Sequence, residues 1–263
     1  MKTFYPLFLL LVLCSIASAQ GPSNKKANQQ SREYNVYRNY MSEPPYSLAK
    51  IKKLVAGLKL AEVGPGEDGD NVKKPTDKEY QALSLREKFT YHMIHAESYY
   101  QICDVSKTPD IAGIEKKIFG HLPEVWDAEG ETGNNWGERQ KRFFKSNKDS
   151  VIKFILEDVT RTNRVGLNYK EVIVNINATS MIPFLVDFYK KERKDHEILT
   201  VLMLLMENNK DPEFLASISH KKLYAKGNDY DNDYYTRFLV LNSANEDLIM
   251  QRAMNFYNGI KKN

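Results

Sequence analysis

His92 and His95 stand three residues apart in the run FTYHMIHAESYYQIC, the densest mixture of aromatic and titratable side chains in the sequence. On an uninterrupted helix, residues at this spacing share a face. Two imidazoles one turn apart are able to share a metal ion, and His121 or a carboxylate would complete the ligand set. Such a centre would make the protein a metal-dependent hydrolase. That is the alternative reading and not the main one, because H-x-x-H lacks the glutamate of H-E-x-x-H. Tyr99 follows His95 by about a turn, with Tyr100 beside it, and Glu97 points elsewhere unless the helix breaks near Ala96.

A second group of candidates lies in HLPEVWDAEGETGNNWGE, where Trp126 and Trp136 alternate with Glu124, Asp127, Glu129 and Glu131. Long aromatic and acidic loops on helical scaffolds serve as contact surfaces. The same residues equally form an acidic cover with each indole buried as a plug. The main reading takes Trp126, Trp136, Tyr99 and Tyr100 as a binding surface for a protein or peptide, with no cofactor.

Other motifs carry less chemistry. Gly64-Pro65-Gly66-Glu67-Asp68-Gly69 fits the letters of a dinucleotide fingerprint, but no strand precedes it and its carboxylates would repel a pyrophosphate. Asp229, Asp231 and Asp233 alternate like the start of a calcium loop, yet Tyr234 and Val240 stand where glycine and glutamate belong. Met203, Met206, Met250 and Met254 have aliphatic neighbours, which marks them as core and not as copper ligands. No motif surrounds Cys103, and G-x-S-x-G, Walker A and C-x-x-C are missing. Asn177-Ala178-Thr179 is a glycosylation sequon at an expected helix start, which favours a structural role.

The elements that must position these residues are expected to be helical. In 263 residues with 42% hydrophobic content, Gly and Pro are sparse and the apolar period is helical almost throughout. A net charge of +4 from interleaved Lys and Glu gives no argument for nucleic acid. Lys2, the apolar run Tyr5 to Ile16 and Ala17-Ser18-Ala19 make a signal peptide cleaved after Ala19, hence an exported, periplasmic or secreted protein. Leu13 before Cys14 speaks against a lipoprotein. With Cys103 as the lone remaining cysteine, no intramolecular disulfide is expected.

Residues 20–45 are polar and poor in aliphatics, so a disordered segment is expected, with Tyr34, Tyr37 and Tyr40 as an alternative docking strip. Residues 46–75 hold an amphipathic helix from Ser47, its lysines in water rather than on a membrane surface, and then a Gly/Asp-rich linker. Residues 76–260 form the helical domain. Thr76/Glu79 and Ser84/Glu87 are capping boxes, Asp211-Pro212 opens a further helix, and a short helix is expected near Ile114–Phe119. No transmembrane helix is expected in the mature chain.

The centre of the core is expected at 177–208, where two helices flank the turn KKERKDHE. The second helix runs Ile198, Leu199, Val201, Leu202, Met203, Leu204, Leu205, Met206, with Asp195 as its cap. Being apolar on nearly every side, it must be covered on nearly every side. The paired helices, the Pro near the start of the first and the tight polar turn resemble one unit of a HEAT-type repeat, so the fold class is an all-α irregular array with one HEAT-like antiparallel hairpin.

Overall fold

A computed structural model describes residues 27–59, 73–97, 111–123, 136–224 and 235–261. The expected signal peptide and most of the expected Gly/Asp-rich linker lie outside them. Within the described residues the elements are, in order, α1 (Gln29–Arg38), α2 (Leu48–Ala56), α3 (Asp77–Gln81), α4 (Leu85–Ile94), β1 (Lys117–Phe119), α5 (Glu138–Ser146), α6 (Lys148–Thr162) and α7 (Leu167–Asn175). There follow α8 (Ile182–Glu192), α9 (Glu197–Asn208), α10 (Pro212–Ala216), α11 (Ile218–Tyr224), β2 (Phe238–Val240) and α12 (Ser243–Ile260). The class is all-α, with one two-stranded antiparallel sheet that pairs Lys117 with Val240 and Phe119 with Phe238. A 3₁₀ turn at Ile114–Lys116 leads into β1, so the short helix expected at Ile114–Phe119 is half turn and half strand. No helix among the described residues is long and apolar enough to cross a membrane.

α9 is the centre of the main core. Ile198, Leu199, Val201, Leu202, Met203, Leu205 and Met206 are all buried, and α7, α8, α10, α12 and β1 pack around them. α8 opens with Pro183 in its first turn, where no N–H is needed, and Arg193 ends it in the left-handed region. α8 and α9 form the expected pair; the likeness to a HEAT unit goes no further than that pairing. Asp195 does not cap α9. Its carboxylate is taken by Lys170 Nζ at 2.7 Å, and both residues are buried.

The local start signals act as their chemistry dictates. Both capping boxes form, at Thr76/Glu79 and Ser84/Glu87, and Asp211 accepts from Phe214 N at 2.9 Å ahead of Pro212. α2 is not an appendage. Ile51 joins Tyr80, Leu83 and Tyr91 in a satellite cluster, and Lys50 Nζ reaches Glu87 at 2.7 Å.

The polar segment expected to be disordered is ordered from residue 27, and Gln29–Arg38 is helical. Composition missed it because the docking is polar: Ser31 donates to Glu115, the Tyr34 ring lies 4.6 Å from the His196 ring, and Arg38 reaches Glu197. Beyond α1, Ser42 N donates to Asn168 Oδ1 and Ser42 Oγ accepts from Gly166 N. A Cβ on Gly166 would lie 2.4 Å from Ser42 N, so this crossing needs a glycine.

Candidate functional site

α4 stops at Ile94, and His95 turns into extended backbone. His92 and His95 therefore do not share a helical face. Gln140, on α5, sits between them and fixes the local hydrogen bonding. Its Oε1 accepts from Glu97 N at 2.6 Å and Gly137 N at 3.1 Å, which forces its amide nitrogen towards His95 O and His92 Nδ1. Nδ1 of His92 must then be the acceptor, so the ring proton sits on Nε2 and is donated to Tyr80 Oη at 2.9 Å. Burial pushes the His92 pKa well below 6.5, with Arg139 and Lys88 adding to the shift, and burial raises Tyr80 to about 12.

In this arrangement neither His92 nitrogen offers a lone pair to a metal. His95 Nε2 pairs with Lys73 O at 2.5 Å, while His121 packs beside Phe119 and Tyr235 in another part of the fold. The expected ligand trio is thus not assembled. Among the described residues, no three His, Cys, Asp or Glu side chains are grouped to hold a metal.

Trp136 joins the same network from the far side. It is 5% exposed, donates its indole N–H to His92 O at 3.1 Å and meets Phe144 edge-on at 4.7 Å. It is a plug in the core and not part of a contact surface, because α4 and α5 close over it. Glu97 turns back to accept from Tyr91 Oη, and Arg139 grips it at 2.5 Å while lying 4.2 Å above the Tyr80 ring. Trp126, Tyr99, Tyr100, Cys103 and the Asp229–Asp233 series lie outside the described residues. Met203, Met206 and Met250 are buried among apolar side chains. Asn177 exchanges two amide hydrogen bonds with Asn209, at 2.9 and 2.8 Å, so its side chain is a structural clasp.

Sequence reasoning missed a buried charged cluster at the start of α9. Arg38 Nε donates to Glu197 Oε1 at 2.7 Å, with side-chain exposures of 0% and 2%. Arg38 Nη1 and Nη2, Glu197 Oε2 and His196 Nδ1 are buried without a protein partner. The guanidinium lies 5.1 Å over the Phe119 ring. The available signal was the polar triple Asp195-His196-Glu197 set directly against an apolar run, which looks like a solvated turn until its partners are known.

Burial holds the His121 and His196 pKa values at about 4 and that of His92 lower than 6.5 as well. Unfolded imidazoles take up protons near pH 6.5, but these folded ones do so only well below it. Folding stability is therefore expected to be unaffected by these groups above pH 6.5 and to fall as pH drops from about 6.5 to about 4. Asp195, whose carboxyl is pushed up by burial, titrates in the opposite sense and blunts the acid end. Urea melts across that window measure the slope; a flat profile would mean that the folded histidines are open to water.

An accessible cleft lies between the Pro44-Pro45-Tyr46 turn, α4 and α6. This cleft has a volume of about 310 Å³, with Phe89 and Phe154 in its lining. Thr90 Oγ1 donates to Tyr46 O at 2.8 Å, which ties the proline turn to α4. The Arg86 guanidinium lies 5.3 Å from the Tyr46 ring and 4.7 Å from that of Phe154, and it pairs with Glu157. Asp158, buried, is held by Tyr169 Oη at 2.7 Å and Arg161 at 2.5 Å. An apolar floor with a rim of both charges suits recognition. Compared with protein-family models, curated proteins and solved structures, the chain matches none.

Proposed function

We propose that this chain is an exported, non-enzymatic helical binding protein that acts through protein or peptide contacts at the cleft between the Pro44-Pro45-Tyr46 turn, α4 and α6. The observation that carries the reading is the cleft itself, whose walls are tied by the Thr90–Tyr46 and Tyr169–Asp158 hydrogen bonds. A site already ordered loses little entropy on binding, which favours affinity at small area. Apolar floors with a few oriented polar groups are the usual form of a ligand site.

Export rests on Lys2, the Tyr5–Ile16 run and Ala17-Ser18-Ala19. Intact mass of the mature protein should place Gln20 first, and a retained N-terminal segment would remove the export reading. The binding reading is tested by selecting peptides from a displayed random library on the wild-type protein, then measuring them on Tyr46→Ala, a substitution at a half-exposed wall. Selected peptides are expected to bind Tyr46→Ala at least ten-fold more weakly, a loss of about 1.4 kcal/mol. Equal binding to both proteins would place recognition outside the cleft.

A further inference from the structure

We propose that the cleft takes an apolar α-amino acid in its zwitterionic form, the side chain against Phe89 and Phe154 and the two charges against the rim. The proposal rests on the cleft being the binding site, as read above, and gives that site a small-molecule ligand. Three features of the cleft select this chemistry.

The first is size. About 310 Å³ stands at the small end of ligand sites, room for one compact side chain and its head group.

The second is the floor. Phe89 and Phe154 lie with their ring centroids 5.4 Å apart, and Pro44, Pro45 and Tyr46 close the opposite wall, so the deepest part rewards apolar area.

The third is the arrangement of charge. α6 carries Glu157 and Arg161 four residues apart, one turn along the same helix face. Arg86 reaches Glu157 through Nη2, and Arg161 spends Nε and Nη2 on Asp158. The second oxygen of Glu157 and Nη1 of Arg161 remain for a ligand, on side chains that are 42% and 54% exposed. A ligand with only a positive charge would use the free Glu157 oxygen and leave Arg161 Nη1 without a partner. One with only a negative charge would pair with Arg161 Nη1 but bring nothing to offset the Glu157 and Asp158 carboxylates beside it. A ligand carrying an ammonium and a carboxylate adds to both ion pairs and breaks neither.

The test is calorimetric titration of the mature full chain with phenylalanine and leucine. N-acetylphenylalanine and phenylalaninamide each remove one of the two charges, and glycine removes the side chain. Phenylalanine and leucine are expected to bind, either charge-deleted analogue at least ten-fold more weakly, and glycine without measurable heat. Glu157→Gln should weaken phenylalanine at least ten-fold and bring it level with N-acetylphenylalanine, while the melting temperature stays within a few degrees. No heat from phenylalanine and leucine, or equal affinity for the charge-deleted analogues, would overturn the proposal. If the amino acids fail while the selected peptides still lose affinity on Tyr46→Ala, the amino-acid inference falls and the binding reading stands; if both fail, the cleft is not the site.

Discussion

Glu197→Ala is expected to destabilise the fold by about 3–5 kcal/mol, the range for removing one partner of a fully buried ion pair. Arg38 would be left with its charge inside the protein and no carboxylate on Nε, and its Nη1 and Nη2 already lack partners. Burial works against the charged guanidinium, yet the Glu197 carboxylate beside it keeps the Arg38 pKa above its ordinary value. Replacing both residues with apolar ones, as in Arg38→Met with Glu197→Leu, should restore most of the stability, since such swaps are often neutral or better. Urea unfolding of the single and double variants gives the comparison. If Glu197→Ala costs less than about 1 kcal/mol globally, limited proteolysis distinguishes two causes. Cleavage within α1 means that the helix has come off and carried Arg38 into water; an intact α1 means that the pair is solvated and the account of its burial is wrong.

That pair also shows why part of the fold is hard to read from sequence. Arg38 and Glu197 are 159 residues apart, and neither position carries a local pattern announcing that its charge will be buried. The same holds for Lys170 with Asp195, and for β1 with β2, whose three-residue strands have too few positions to show an alternation. Start signals fare better because their chemistry is complete within four residues, as in both capping boxes and the Asp211-Pro212 helix start. The histidine patch was legible as a polar cluster, but its meaning turned on where α4 ends. One more turn of helix would have aligned His92 with His95; the stop at Ile94 puts Gln140 between them. The cleft was legible only as a Pro-Pro break, since its other walls come from α4 and α6.

The apolar run of α9 was the opposite case, a stretch whose composition alone demands enclosure. Leu202→Ala is therefore expected to cost roughly 2–5 kcal/mol. The side chain is fully buried on a helix surrounded by α7, α8, α10, α12 and β1. Helices held on several sides cannot all move inwards to fill one space, so the cavity term should persist and the cost should fall in the upper part of that range. Leu54 makes the control. It lies half-buried against the satellite cluster of Ile51, Tyr80, Leu83 and Tyr91, where water already reaches the side chain. Leu54→Ala should cost about 1 kcal/mol, the transfer of a partly buried side chain without a closed cavity. Urea midpoints at equal slope rank the two directly. A Leu54 effect as large as that of Leu202 would mean that α2 and the satellite cluster carry the fold as much as α9 does, and that the apolar run is covered without being central.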